Sequence, residues 1–371
     1  MNQQILSTEH DFKMLDEYLL SKSVHKVFLV KSKYFDMFRI CNYFSNLKKR
    51  LNIDIISFDH FHPNPEYNSV IEGEKLFQNE KCDCIIAIGG GSCIDVAKCI
   101  KLYYGLGYNN NLIKQTPIEN DIPLIVLPTT AGTGSEATRY AVIYHKGEKQ
   151  SITNKTIIPS AVIFDASVLE FLPDYQRKST MLDAFAHAIE SFWSVNSTEE
   201  SKQYSRNAIQ LILANYDAYL NNEADGNWNM LMAANIAGKA INITQTTAGH
   251  AMCYKLTSLY GISHGHAAAL CVSVLWPYMI NHTNLCIDNR GQKYLDTVFA
   301  ELAFAMNANS AYEGAEKFIE ILKNLELQRH IISVLDYEIL KKSVNPIRLN
   351  NNPIALDEGT IDYLYHQIME K

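Results

Sequence analysis

The sequence predicts an α/β half built on a parallel sheet, followed by an all-helical half, with the division near residue 173. Three observations carry this expectation. Short apolar runs rich in β-formers alternate with helical spacing through the first 130 residues, the pattern of strands joined by crossover helices. Two turns rich in glycine and small hydroxyl residues follow directly on such runs. Beyond Leu172-Pro173 the strand-like runs disappear and long stretches of helical periodicity take over, so the chain reads as two domains, 1–173 and 174–371.

In chain order, 26–30 is a short apolar run flanked by charge and predicts a buried strand. Residues 35–50 carry helical spacing and end in Lys48, Lys49 and Arg50, a charge suited to a helix C-terminus. A strand follows at 53–58, a turn at His62-Pro63-Asn64-Pro65, and a helix over 69–79. The run 84–88 is the next strand and enters Gly89-Gly90-Gly91-Ser92, with a helix through Asp95 and Lys98 to about Tyr104. A fourth strand, 124–127, enters the turn from Pro128 to Glu136. Helices are then expected at 176–195, 199–221, 228–245, 264–281, 293–306 and 312–325.

A chain of 371 residues, 47% hydrophobic and 20% charged, can bury cores for two domains. Its net charge of −7 speaks against a nucleic-acid partner, which calls for a basic surface. The N-terminus lacks a basic start followed by an apolar run, and no apolar run nears the roughly 18 residues of a membrane span. Eight cysteines are scattered without a CxxC pair, which fits a reduced, cytoplasmic protein.

The turn at Gly89–Ser92 stands between a strand and a helix, where backbone N–H groups and the helix N-terminus favour an anion. Its spacing is neither GxGxxG nor GxxxxGK[ST], and a tight turn that only relieves strain is the competing reading. The second turn, 128–135, weighs against that alternative. Two adjacent loops of small donors at strand C-termini suit a pyrophosphate in a sheet-edge crevice.

Asp183 and His187 lie four apart in an otherwise apolar helical segment, 181–193, and so share one face. Placing both there is costly unless each has a partner. An internal Asp–His hydrogen bond would satisfy them, but so would a metal. His250 and His264 are fourteen residues apart, and Gly261 and Gly265 let the chain turn back between them. Three imidazoles and one carboxylate suit Fe²⁺ or Zn²⁺; His266 is left to face a cleft.

Together these motifs resemble the iron-containing (group III) alcohol dehydrogenases. The matching stretches are Gly89 to Lys98, Pro128 to Glu136, Asp183 to Glu190, and His250 to His264-Gly265, in order across residues 26 to 282. The resemblance implies a Rossmann-like dinucleotide-binding domain and a helical metal-binding catalytic domain, an architecture shared with dehydroquinate synthase. It also implies metal and nicotinamide in the cleft between them, and a homodimer or larger assembly. By the same resemblance Asp183, His187, His250 and His264 are the metal ligands. Gly90, Gly91, Ser92 and Asp95 form the first cofactor loop, and Thr129, Thr130, Thr133 and Ser135 the second. Asn64 and Lys149 match further cofactor contacts.

Two positions depart from the family pattern. Ser32 stands where relatives often have an acidic residue for the adenosine ribose, and Lys31 and Lys33 flank it. That combination tolerates a 2′-phosphate, so NADP as well as NAD is expected to bind. Tyr254 replaces a histidine that many relatives carry four residues after the first of the later pair. A proton relay would then use Tyr254 or His266.

The stretch from Tyr254 to Ala267 is similar to the branch of the family that reduces phosphonoacetaldehyde to 2-hydroxyethylphosphonate. A phosphonate needs cationic partners, for which Arg139 and Lys255 are the candidates; the competing role for Arg139 is an ion pair with Glu136 or Glu190. The expected function is therefore metal-dependent, NAD(P)H-linked aldehyde reduction. Alternatives are another small aldehyde, of lactaldehyde or succinic semialdehyde type, or a non-catalytic metal- and nucleotide-binding sensor. The Asp183–His187 spacing fits the dehydrogenases better than the lyase chemistry of dehydroquinate synthase.

Overall fold

The computed structural model describes residues 3–7, 11–107, 111–327, 334–344 and 346–370. Two units are distinguished, Met1–Thr130 with Gly134–Leu172, and Ala131–Thr133 with Pro173–Lys371.

The first unit holds strands β1 (Gln4–Ser7), β2 (Lys26–Lys31), β3 (Asp54–Phe58), β4 (Cys84–Gly89), β5 (Leu124–Pro128), β6 (Tyr140–His145), β7 (Glu148–Thr153) and β8 (Ala161–Phe164). Its helices are α1 (Lys13–Ser21), α2 (Ile40–Ser45), α3 (Leu47–Leu51), α4 (Tyr67–Asn79) and α5 (Gly91–Tyr103). Six strands pair in parallel in the order β1-β8-β5-β4-β2-β3. The central strands β4 and β5 are buried along their whole length, which is why they read as continuous apolar runs rather than alternating ones. From β2 the chain moves outward to β3, whereas β4 leads the other way to β5. The order therefore reverses between β2 and β4, and ligands of such sheets bind outside the strand C-termini at that point. Ser32 and Gly89–Ser92 occupy it.

Four strands were not expected. In β1 Leu6 is buried while Ile5 is 44% exposed; a four-residue edge strand leaves a weak pattern. β8 is a buried run of only four residues. The β6–β7 hairpin turns at Lys146 and Gly147, with φ of 54° and 77°. Two positive values make a type I′ turn, and lysine at the first position hides it. The helix expected over 35–50 is interrupted, because Phe38 is extended (φ −91°, ψ 143°) and separates a 3₁₀ turn, Phe35–Met37, from α2 and α3.

The second unit is helical: α6 (Asp174–Trp193), α7 (Glu199–Leu220), α8 (Ala224–Thr244), α9 (Ala248–Tyr260), α10 (His264–Asn281), α11 (Gln292–Ala305), α12 (Ala311–Asn324), α13 (Val334–Lys342), α14 (Pro346–Leu349) and α15 (Glu358–Glu370). Its core is seeded by Trp193, whose ring lies 5.7 Å from Trp276 and 6.4 Å from Phe299. α6 is anchored by Arg177, which is buried and donates to Tyr219 O, Asn227 Oδ1 and Asn222 Oδ1 at 2.6–2.8 Å. Among the described residues no helix is long and apolar enough to cross a membrane.

Candidate metal centre and cofactor loops

α6 presents Asp183, His187 and Glu190 at spacings of four and three, one above the other on a single face. All three are buried, Glu190 completely. α9 meets that face with His250. Asp183, His187 and His250 each offer one donor atom within 4.8 Å of the others. Asp183 Oδ1 lies 3.4 Å from His250 Nε2 and 3.9 Å from His187 Nε2. Bonds of about 2.0–2.2 Å meeting at one ion place neighbouring donors roughly 3–4 Å apart, so the trio fits a divalent cation. Two imidazoles and a carboxylate suit iron or zinc.

The close approach depends on two glycines. A Cβ on Gly249 would sit 2.7 Å from Glu190 Oε1, and one on Gly265 would sit 2.0 Å from Ser179 O and 2.6 Å from Asp183 Cβ. Any side chain at Gly265 would meet the α6 backbone and push α10 off α6, and one at Gly249 would displace the Glu190 carboxylate.

Glu190 is the residue that the sequence reading missed. Its carboxylate accepts from Thr247 Oγ1 at 2.7 Å, from the His250 backbone N–H at 3.2 Å, and from His250 Nδ1 in a short contact. It thus caps the first turn of α9, where negative charge is favoured, and holds the His250 proton at Nδ1, which leaves Nε2 for a metal. The i+7 spacing from Asp183 was the available signal. Replacing Glu190 with glutamine is expected to lower metal affinity about 10- to 100-fold, read by competition with a chromophoric chelator. An unchanged affinity would remove it from this role.

The charges are arranged accordingly. Burial works against ionised Asp183, but the surrounding histidines outweigh it and hold the carboxyl well below its usual range. Burial pulls His187 down to about 4, so it is neutral at neutral pH. Burial also opposes charge on His250, yet Glu190 and Asp183 raise it to about 9. Without metal His250 therefore carries a proton that an incoming ion must displace.

His264, expected as the fourth ligand, opens α10 beside the trio. Its ring is 5.3 Å from that of His250, it stacks on Tyr254 at 5.4 Å, and its Nδ1 lies 3.5 Å from Cys253 Sγ. Tyr254 is one turn beyond His250, and burial raises its hydroxyl to about 12. His266 is buried, with Nδ1 3.3 Å from Tyr175 OH and its N–H donated to Ser179 Oγ. Lys255 lies about 140° around α9 from His250, and its ammonium makes no hydrogen bond or ion pair among the described residues.

In the first unit the two expected loops are neighbours. Thr129 N–H donates to Gly89 O at 3.1 Å, and a Cβ on Gly90 would meet Thr130 Cγ2 at 3.2 Å. Gly91 and Ser92 open α5. Ser32 follows β2, bonds its N–H to Ile88 O, and keeps a buried hydroxyl with no hydrogen-bond partner among the described residues. An orphaned buried donor at the sheet's switch point is what a bound ligand would satisfy. Lys31 and Lys33 rest over the rings of Phe35 and Tyr34. Asp95 accepts from Ser135 Oγ at 2.7 Å and Val142 N–H at 2.9 Å. Buried Lys98, lowered to about 8 by desolvation, donates to Thr138 O and Tyr140 O. Asp95 and Ser135 thus brace α5 against the β6 segment. Lys149, on β7, contributes favourable charge to Asp95. Asn64 is exposed, with φ of 60°, next to Pro65, whose carbonyl accepts from Tyr144 N–H. Thr133 belongs to the second unit. Arg139 Nε donates to Tyr140 OH at 3.2 Å.

Comparison with known proteins covers both halves. The family model for iron-containing alcohol dehydrogenase matches residues 2–166, and that for the C-terminal part of the Fe-containing alcohol dehydrogenase family matches 178–369. Aldehyde-alcohol dehydrogenase 2 of Entamoeba histolytica is 28% identical over 87% of the chain, which spans only 39% of that protein's length. A phosphonoacetaldehyde reductase of Streptomyces viridochromogenes is 30% identical, covering 76% of this chain and 75% of its own. The crystal structure of a sulfoacetaldehyde reductase from Bifidobacterium kashiwanohense in complex with NAD⁺ matches with a TM-score of 0.86 at 23% identity, over 100% of this chain and 97% of the other.

Proposed function

The chain belongs to the iron-containing alcohol dehydrogenase family, and we propose that it is an NAD(P)H-dependent aldehyde reductase whose substrate is phosphonoacetaldehyde, reduced to 2-hydroxyethylphosphonate. The observation that carries the reductase reading is the buried trio Asp183, His187 and His250 with Glu190 behind it. A 30% identical phosphonoacetaldehyde reductase supports the substrate.

Asp183, His187 and His250 would hold the divalent ion, iron before zinc, with His264 as the fourth ligand. Gly90, Gly91, Ser92, Asp95, Thr129, Thr130, Thr133 and Ser135 receive the dinucleotide, with Asn64 and Lys149 as further contacts. When bound, the ion supplies Lewis acidity at the carbonyl oxygen and the nicotinamide supplies the hydride. The chain's own part is to keep Asp183 ionised and His187 neutral, and to fix the His250 proton at Nδ1. Tyr254 stays protonated at neutral pH and can return a proton to the product oxygen, with His266 as the other donor. Arg139 and Lys255 are the cations that the sequence offers to a phosphonate. Ser32 leaves room for a 2′-phosphate, so NADPH serves as well as NADH. Residues 1–173 form the dinucleotide-binding domain and 174–371 the catalytic one, in a cytoplasmic homodimer whose cysteines stay reduced.

The test is an aldehyde panel on Fe²⁺-loaded protein with NADH and NADPH. Phosphonoacetaldehyde is expected to have the highest kcat/KM. A simple aliphatic, lactic or succinic aldehyde outperforming it would overturn the substrate, and metal binding without turnover of any aldehyde would overturn the reductase reading.

A further inference from the structure

We infer that Arg348 is the residue that reads the anionic group of the substrate. The inference rests on the proposal that the substrate is a phosphonate-bearing aldehyde.

The guanidinium of Arg348 touches α9 and the residues that lead into it. Nη1 donates to Thr246 Oγ1 at 2.6 Å, and Cζ stands over the Tyr254 ring at 6.0 Å. Tyr254 follows His250 by four residues, so the two share one side of α9, and Thr246 lies just before the helix begins. Arg348 therefore lies along the side of α9 that carries His250. Beyond the bond to Thr246, its N–H groups make no other hydrogen bond among the described residues. Arginine presents five donors in a planar fork, so most of the fork is uncommitted. A half-buried guanidinium with open donors suits a tetrahedral oxyanion, which it can grip through two parallel bonds.

The strap that carries Arg348 is held in place. Asn351 donates to Gln245 Oε1 and Thr246 O, each at 3.2 Å, and its carbonyl accepts from Val195 N–H at 3.1 Å. Asn352, completely buried, donates to Ile354 O. The Asn351 bonds fix the segment after α14 against the residues that lead into α9 and those that follow α6, so little freedom is lost when the fork binds. Lys255, by contrast, projects from a different side of α9, and a lysine offers only a point charge.

The experiment compares wild type with R348Q and R348K as metal-loaded holoenzymes, using phosphonoacetaldehyde and propionaldehyde. R348Q is expected to lower the ratio of the two kcat/KM values roughly 10- to 100-fold, mainly through KM for the phosphonate, and R348K to recover part of it. Metal content is measured in each variant, and R348K remains the arbiter if R348Q does not fold. A wild-type ratio favouring phosphonoacetaldehyde that neither variant changes would overturn the role of Arg348 alone. A wild-type ratio near unity would overturn the phosphonate reading and this assignment with it.

Discussion

Replacing His187 with alanine is expected to abolish metal binding and with it turnover, while leaving the melting transition close to that of metal-free wild type. His187 is the ligand whose loss disturbs least else. No other side chain among the described residues hydrogen-bonds to it, and its removal leaves the Glu190–His250 pair intact. Losing a ligand outright should cost more than the 10- to 100-fold in affinity that follows loss of an outer partner. His250→Ala is a harsher change, because it strands Glu190 as a buried, unpaired carboxylate, which typically costs about 3–5 kcal/mol. The pair of variants separates ligation from stability. Bound metal with normal turnover in His187→Ala would remove that histidine from the ligand set.

Gly265→Ala is expected to damage the second unit more than any conservative change on its surface. The added methyl meets Ser179 O at 2.0 Å and Asp183 Cβ at 2.6 Å, and neither can withdraw without moving α6. Overpacking of this kind costs about 3 kcal/mol or more, which for a unit this size lowers the midpoint by roughly 6–12 °C. Metal affinity should fall as well, since Asp183 is displaced. Gly261→Ala is the comparison: its Cβ would meet nothing within 4 Å, and the penalty comes only from φ of +67°, about 1–2 kcal/mol. Thermal unfolding and metal titration of both proteins check this. Equal midpoints would show that the α6–α10 contact yields more readily than its geometry implies.

The legible parts of the sequence were those in which one residue pattern has one physical cause. β4 and β5 are buried on both faces and so appeared as unbroken apolar runs. The long helices of the second unit kept their periodicity, and the four-residue spacing of Asp183 and His187 placed both on a shared face. What stayed hidden depended on partners distant in sequence. Glu190 looks like an ordinary helix glutamate until His250 and Thr247 arrive 57 to 60 residues later. Arg348 lies in a four-residue helix with no periodicity to betray it, and its meaning comes from Thr246, 102 residues away. The I′ hairpin was concealed by a lysine in a conformation that glycine or asparagine usually takes. The placing of His264 also depended on context, since Cys253 and Tyr254 now orient its ring.

The long antiparallel pair α7–α8 separates the two halves of the trio, so Asp183 and His250, 67 residues apart, meet only once that hairpin has closed on α6. Closing a loop of this size is an entropic step that local helix formation does not accomplish. Asp183 and His187 alone give an ion two donors, too few to compete with water. The complete donor set therefore exists only in the folded helical unit, and an ion bound there would tie α6 to α9 across the 67 residues that separate them in sequence.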